Sequence, residues 1–362
     1  MKVLSGIRIL ELGAIGPAPW CATLLADMGA DVVCIDRQGA SPRGLASGRG
    51  RTRVELDLKR AEDVVRALEF VREADVLLEG MRPGAAERLG LGPDVCLTLN
   101  PALVFARMTG WGQAGPFAAR AGHDINYIGL TGVLHAIGPR ERPVLPLNLI
   151  GDYGGGGAYL AIGLLAALLK ARQTGQGEVV DVAMVDGAAS MMALQYDRLA
   201  SGSWQDERAA NMLDGGAPWY DVYACSDGKF VAVGAIEPKF YAELLKGLGL
   251  KEAQLPNRVD RANWFAIRAI FEKTFVQRTR DDWAARFAST DACVTPVLSM
   301  TEAPTHPHNV HRGTFMRHGG RPVPGPAPRF NSMARELAPD SRCVMPEEAI
   351  ARWASKKKIE RF

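Results

Sequence analysis

Short apolar runs alternate with helical apolar patterns through the first third of the 362 residues, and a differently patterned region follows a polar passage rich in Gly, Asp and Asn. These observations predict an α/β fold: a Rossmann-like parallel-sheet large domain with helices on both faces, plus a smaller α+β domain. Strands are expected over 7–12, 31–35, 75–78 and 103–108, with helices over 18–28 and 61–72 between them. A glycine-rich turn at 154–157 then opens a long apolar helix reaching about Arg172, and a strand over 179–184 leads into a further helix.

The sheet domain is expected to occupy 1–200, followed by a linker over 201–220. A small domain over 221–302 combines a strand at 230–233, helices at 239–248, 264–275 and 281–287, and an extended run at 295–298. Residues 303–330 are dense in Pro, Gly and His and read as an extended return passage. Residues 331–362 then rejoin the large domain.

The composition is that of a globular protein, 47% hydrophobic and 23% charged. A balance of 43 Lys+Arg against 40 Asp+Glu leaves +3, too little to imply a nucleic-acid partner. The six cysteines include no Cys-x-x-Cys pair and no histidine at ligand spacing, so reduced, buried thiols are expected. The N-terminal residues run into a strand pattern without a signal-peptide core, which predicts a cytoplasmic protein. The twelve apolar residues of 158–169 fall short of the ~20 that span a bilayer, so a buried helix is expected and no membrane insertion.

Several segments have the residue types of a site. Five arginines (Arg37, Arg43, Arg49, Arg51, Arg53) and four glycines stand together without a carboxylate after the second expected strand. Arg forks match phosphate oxygens, and glycine lets backbone approach them; a solvated surface loop would have the same composition. Arg82 and Arg88 follow the next strand and favour the phosphate reading. The turn Gly13-Ala14-Ile15-Gly16-Pro17 lacks the full dinucleotide fingerprint, so NAD is not expected.

His123, after Gly122, sits at a loop-to-helix junction, where it serves either as a cap or as a proton carrier near neutral pH. Asp152 precedes Tyr153 and four glycines; it is either an N-cap or an acid/base group beside a helix start whose N–H groups suit an anion. Four consecutive glycines imply a close approach to the backbone. Glu237 stands where a strand passes into a helix, a place that also suits an ordinary first-turn carboxylate. His306, His308 and His311 lack an accompanying acidic or thiolate cluster, so no metal site is expected.

Leu4-Ser5-Gly6-Ile7-Arg8-Ile9-Leu10-Glu11-Leu12, Ala106-Arg107-Met108-Thr109-Gly110-Trp111-Gly112-Gln113, Gly122-His123-Asp124, Gly151-Asp152-Tyr153-Gly154-Gly155-Gly156 and Gly234-Ala235-Ile236-Glu237-Pro238 together resemble the alpha-methylacyl-CoA racemases of the class III CoA-transferase family. The likeness spans nearly the whole chain. It implies an interlocked homodimer, a place in lipid and fatty-acid metabolism, and a 2-methylacyl-CoA thioester as substrate.

The CoA moiety is then expected against Arg37, Leu56, Asp57, Leu58, Lys59, Gly80, Met81, Arg82, Arg88, Gly122, His123, Asp124, Ile125, Asn126 and Tyr127, with no metal, NAD or flavin. His123, paired with Glu237 from the partner subunit, and Asp152 are implied as the two acid/base groups. The N–H groups of Gly154 to Gly157 would face the enolate. Transferases of the family resemble the chain at Asp152, which there attacks the thioester to form an acyl-aspartyl anhydride, but typically lack the histidine of Gly-His-Asp; His123 therefore favours the racemase reading. A binding protein that merely retains the fold is the third possibility, and the presence of all three acid/base groups argues against it.

Overall fold

The computed structural model describes residues 2–41, 44 and 48–355. Arg43 lies outside the described residues. The described chain forms two compact units, one from 2–133, 146–193 and 324–355 and the other from 134–145 and 194–323.

The first unit is built on a parallel sheet of β1 (Arg8–Leu12), β2 (Asp31–Asp36), β3 (Arg51–Glu55), β4 (Val76–Glu79), β5 (Val104–Thr109) and β6 (Glu178–Ala183). Its spatial order is β3-β2-β1-β4-β5-β6, with the short strand Arg342–Cys343 added beside β3. Every described pairing in it is parallel. Strand order reverses between β1 and β4, and in such sheets ligands bind in the crevice beyond the carboxyl ends at that point.

Both faces are covered, which is why the strands read as unbroken apolar runs rather than alternating ones. On one face Ile9, Val32, Val76 and Val104 pack with Cys21 and Leu25 of α1 (Pro17–Asp27). On the other, Leu10, Val33, Leu77 and Phe105 meet Phe70 and Val71 of α2 (Ala61–Glu73). Trp353, on the C-terminal helix Pro346–Ser355, closes that second face edge-on against Phe70, 5.6 Å between centroids. Each such large apolar side chain contributes roughly 1.5–3 kcal/mol on burial. Pro17 opens α1, where its missing N–H is harmless, and Gly16 before it adopts a positive φ of 77°.

The structure departs from the sequence expectation at several places. Arg51 and Arg53 of the arginine segment lie in strand β3: arginines are poor predictors of a strand, but here they alternate with Thr52 and Val54 and are individually neutralised. Gly154 to Gly157 do not start a helix. They lie within a π-helix, Leu149–Ala158, that runs directly into α4 (Tyr159–Thr174), after α3 (Asp124–Gly129) earlier in the chain.

The joined helix of 26 residues has the length and hydropathy to cross a membrane, more than the twelve apolar residues suggested. Half of its apolar window is buried, with Leu160, Leu164 and Leu168 in the core of the unit. Cys293 and Cys343 are exposed, whereas the other four cysteines are buried; all six are free thiols. Burial pushes the Cys96 thiol up to about 12.

After α5 (Met184–Met191), the second unit carries an antiparallel sheet of β7 (Tyr220–Ala224), β8 (Phe230–Gly234) and β9 (Val294–Pro296). Against it pack α6 (Pro238–Leu248), α7 (Trp264–Phe275) and α8 (Arg280–Phe287), through an aromatic core of Trp219, Tyr223, Tyr241, Phe271, Phe275 and Trp283. The stretch expected as an extended passage instead contains the helix Pro307–Arg312, which carries His308 and His311, and a two-stranded sheet of Phe315–His318 and Arg321–Pro324.

Candidate active site

Within the first unit the predicted site residues gather at the carboxyl edge of the sheet and on the helices beside it. Arg37 is exposed directly after β2, Asp57 and Lys59 are exposed after β3, and Arg82 and Arg88 are exposed after β4. Leu56 is 3% exposed and its side chain belongs to the core, so only its backbone is available to a ligand. Leu58 also packs on that core.

The remaining arginines of the basic segment are not available to phosphate. Arg49 pairs with Asp27 at 2.5 Å, Arg51 with Glu11 at 2.6 Å and Arg53 with Asp36 at 2.6 Å, all essentially buried. The carboxylates that neutralise them come from β1, α1 and β2, outside the segment, so counting charges within it could not reveal the pairing. Arg37 alone of the described arginines in that segment keeps the exposure a phosphate contact requires.

The loop after β4 is fixed from below. Glu79 accepts the Met81 N–H at 2.6 Å and is held by Arg107 of β5 at 3.1 Å, while Arg107 also pairs with Glu87 at 3.0 Å. Burial holds the Glu79 carboxyl above the usual range, outweighing the Met81 N–H and Arg107. Gly80 passes so close to the turn after β1 that a Cβ would lie 3.0 Å from the Ala14 methyl. Sequence reasoning missed Glu79 and Arg107 as supports; an acidic residue ending one buried strand beside an arginine within the next was the available signal.

His123 is the N-cap of α3, exposed, with its backbone N–H donated to Asn126 Oδ1 at 3.0 Å. Tyr127, one turn along, is buried and donates its hydroxyl to the Gly122 carbonyl at 2.5 Å. Its ring packs edge-on against Trp111, 4.8 Å between centroids, and a side chain on either Gly110 or Gly122 would collide with it. The Gly110-Trp111-Gly112 turn thus seats the tyrosine that anchors the histidine's cap.

Asp152 is half-buried in the first turn of the π-helix. Asn148 donates to its Oδ2 at 3.1 Å, and its own N–H donates to Asp124 Oδ2 at 2.7 Å. Its carboxyl is raised above the usual range, first by burial and also by the Asp124 charge, against the opposing Asn148 hydrogen bond and the field of His123. His123 and Asp152 are therefore brought within electrostatic reach of each other.

The glycines do something other than expected. A π-helix commits its N–H groups to carbonyls five residues back, so those of Gly154 to Gly157 are spent in the ladder and are not presented to an enolate. What approaches them is protein: a Cβ on Gly155 would lie 2.6 Å from the Ala188 backbone nitrogen, and one on Gly157 2.5 Å from the Trp20 ring. On the facing helix, a side chain at Gly187 would strike the Gly155 backbone.

Glu237 belongs to the second unit, where it is the exposed N-cap of α6, ahead of Pro238 at the first helical position. Among the described residues no three His, Cys, Asp or Glu side chains gather as metal ligands.

A parallel sheet with a basic carboxyl edge thus stands beside a histidine and an aspartate on adjacent helix starts, a pair suited to an enzyme that moves protons. Residues 4–341 match CoA-transferase family III, and the chain belongs to that family. It is 45% identical to alpha-methylacyl-CoA racemase of Mus musculus over 328 residues, 90% of this chain and 86% of the relative. The likeness to alpha-methylacyl-CoA racemase of Homo sapiens is 44% over 327 residues, with the same coverage. Among solved structures, a CAIB/BAIF family protein from Brucella suis superposes with a TM-score of 0.82 at 26% identity, over 98% of this chain and 99% of that one.

Proposed function

We propose that the chain is a 2-methylacyl-CoA racemase, interconverting (R)- and (S)-thioesters through an enolate. The observation that carries it is His123 and Asp152 held on neighbouring helix starts, with the Asp152 carboxyl raised above its usual range, first by burial. One group removes the α-proton, the C–H electron pair passes into the thioester carbonyl, and the other group protonates the opposite face of the enolate. The thioester stays intact and no electrons leave the substrate, so the reaction asks for no metal, NAD or flavin beyond the CoA moiety.

Exposed Arg37, Lys59, Arg82 and Arg88 supply cations for the CoA phosphates. With them, the backbone of Leu56 to Leu58, of Gly80 and Met81, and of the Gly122 to Tyr127 segment including Asp124, Ile125 and Asn126 completes the proposed CoA contact. Orientation of His123 by Glu237, its donation across an interlocked homodimer, cytoplasmic residence and a role in lipid metabolism are further parts of the reading. Mixing inactive His123→Ala and Glu237→Ala chains tests the donation: regained turnover in the mixture supports it, and continued inactivity rejects it.

The decisive experiment incubates the protein with (S)-2-methylacyl-CoA in deuterated water. Deuterium at the α-carbon and both epimers are expected without any second acid. Acyl transfer to a free acid without α-exchange would instead make Asp152 a nucleophile. His123→Ala and Asp152→Ala should each slow exchange by orders of magnitude while CoA affinity holds.

A further inference from the structure

We propose that Asp124 is a positioning residue for this reaction, holding Asp152 in place through the Asp152 backbone N–H; the inference rests on the racemase reading above. Asp124 is only 6% exposed, whereas its neighbours His123, Ile125 and Asn126 face solvent. Its carboxylate turns inward to α3's neighbour, the π-helix, and Oδ2 accepts the Asp152 N–H at 2.7 Å. Gly151 makes room for it: a Cβ there would lie 2.7 Å from the same oxygen and 3.0 Å from its carboxyl carbon.

A neutral acceptor such as Asn would take the Asp152 N–H as well. That hydrogen bond alone therefore does not explain the charge. Its other oxygen, Oδ1, is buried with no hydrogen-bond partner among the described residues, a costly state for a carboxylate. What the charge does is act on its neighbours: it adds to burial in raising the carboxyl of Asp152 and contributes, after burial and Asp152 itself, to raising the Tyr127 hydroxyl.

Of the elements against the π-helix, α3 brings Asp124, Tyr127 and His123 at its cap. α5 carries Asp186, α1 carries Cys21 and the Arg49-bound Asp27, β6 carries Glu178 and Asp181, and α4 carries Tyr159, Lys170 and Arg172. The charges felt at Asp152 are those of Asp124, raising it, and His123, lowering it. Asp124 thus adds to burial in holding the Asp152 carboxyl up against the opposing field of the histidine.

The test uses the full chain with Asp124→Asn, which keeps an acceptor for the Asp152 N–H, and Asp124→Ala, which removes it. Turnover is followed against pH in both directions, and the Asp152 carboxyl is titrated by carbon NMR without substrate. In Asp124→Asn the titration should move to lower pH, and kcat in the direction where Asp152 donates should fall roughly tenfold at neutral pH with KM nearly unchanged.

Asp124→Ala should lose roughly another tenfold and show faster hydrogen exchange at the Asp152 amide. An unmoved titration with kcat within about twofold of wild type would overturn the proposal, as would a raised KM at constant kcat. Wild type without α-exchange would sink the racemase reading instead, and the substrate-free titration would still decide whether Asp124 acts on Asp152.

Discussion

Arg37 and Arg51 belong to one arginine-rich segment, yet the first is exposed beyond β2 while the second is wholly enclosed against Glu11 on β1. Arg51 also reaches the Thr23 hydroxyl at 2.9 Å and the Pro19 carbonyl, tying β3 to the start of α1. The difference teaches that a basic segment is two things at once: internal wiring where it becomes strand, and ligand surface where it remains loop. Residue type does not separate them; the partner supplied from elsewhere does.

The comparison breaks most visibly at Arg51. Arg51→Ala leaves Glu11 buried without its cation and should cost about 3–5 kcal/mol, read from denaturant unfolding. A Glu11→Met, Arg51→Met double variant should recover much of that loss. Stability of Arg51→Ala within 1 kcal/mol of wild type would place this arginine with Arg37 after all.

Gly155→Ala comes next. Its methyl would meet backbone rather than a yielding side chain, so a loss of about 1–3 kcal/mol is expected, together with slower α-exchange as Asp152 shifts. A fully active, fully stable variant would remove the packing account of the glycine run.

Asp152→Asn should act in the opposite sense on stability. The folded carboxyl is raised above its unfolded value, so the folded protein carries a cost that is absent below about pH 4 and is fully present above the folded pKa. The variant should melt a few degrees above wild type at neutral pH, with the gap closing in acid, while exchange is abolished. A gap that widens in acid would contradict the raised carboxyl. Smallest of all, Arg37→Ala should leave stability within about 0.5 kcal/mol and weaken CoA binding, measured by calorimetry; unaltered affinity would return Arg37 to the plain surface.

The sheet was legible because its strands are apolar on both faces: Ile9, Leu77 and Val104 announce themselves without any partner. β3 was not, since its arginines are compatible with a buried strand only when Glu11, Asp27 and Asp36 arrive from other elements. His123 and Asp152 were legible through residue type beside glycine. Asp124 and Arg107 were legible as residues but not as supports, because each works through a contact to a distant segment: Asp124 to the Asp152 amide, Arg107 to Glu79. The π-helix was hidden because glycine's low helix propensity argues for a loop, and only the facing Gly187 makes a tight helix pair possible.

That pair has a consequence for how variation in the protein is read. Where Gly155 and Gly187 meet, main chain touches main chain, so no rotamer can absorb an added methyl; a whole helix must move, and Asp152 rides on it. A survey of substitutions scored by turnover alone would mark Gly187 as if it took part in the chemistry, although it carries no group able to do so. Scoring abundance beside turnover would separate the carrier of the proton from the hinge plate on which it is mounted.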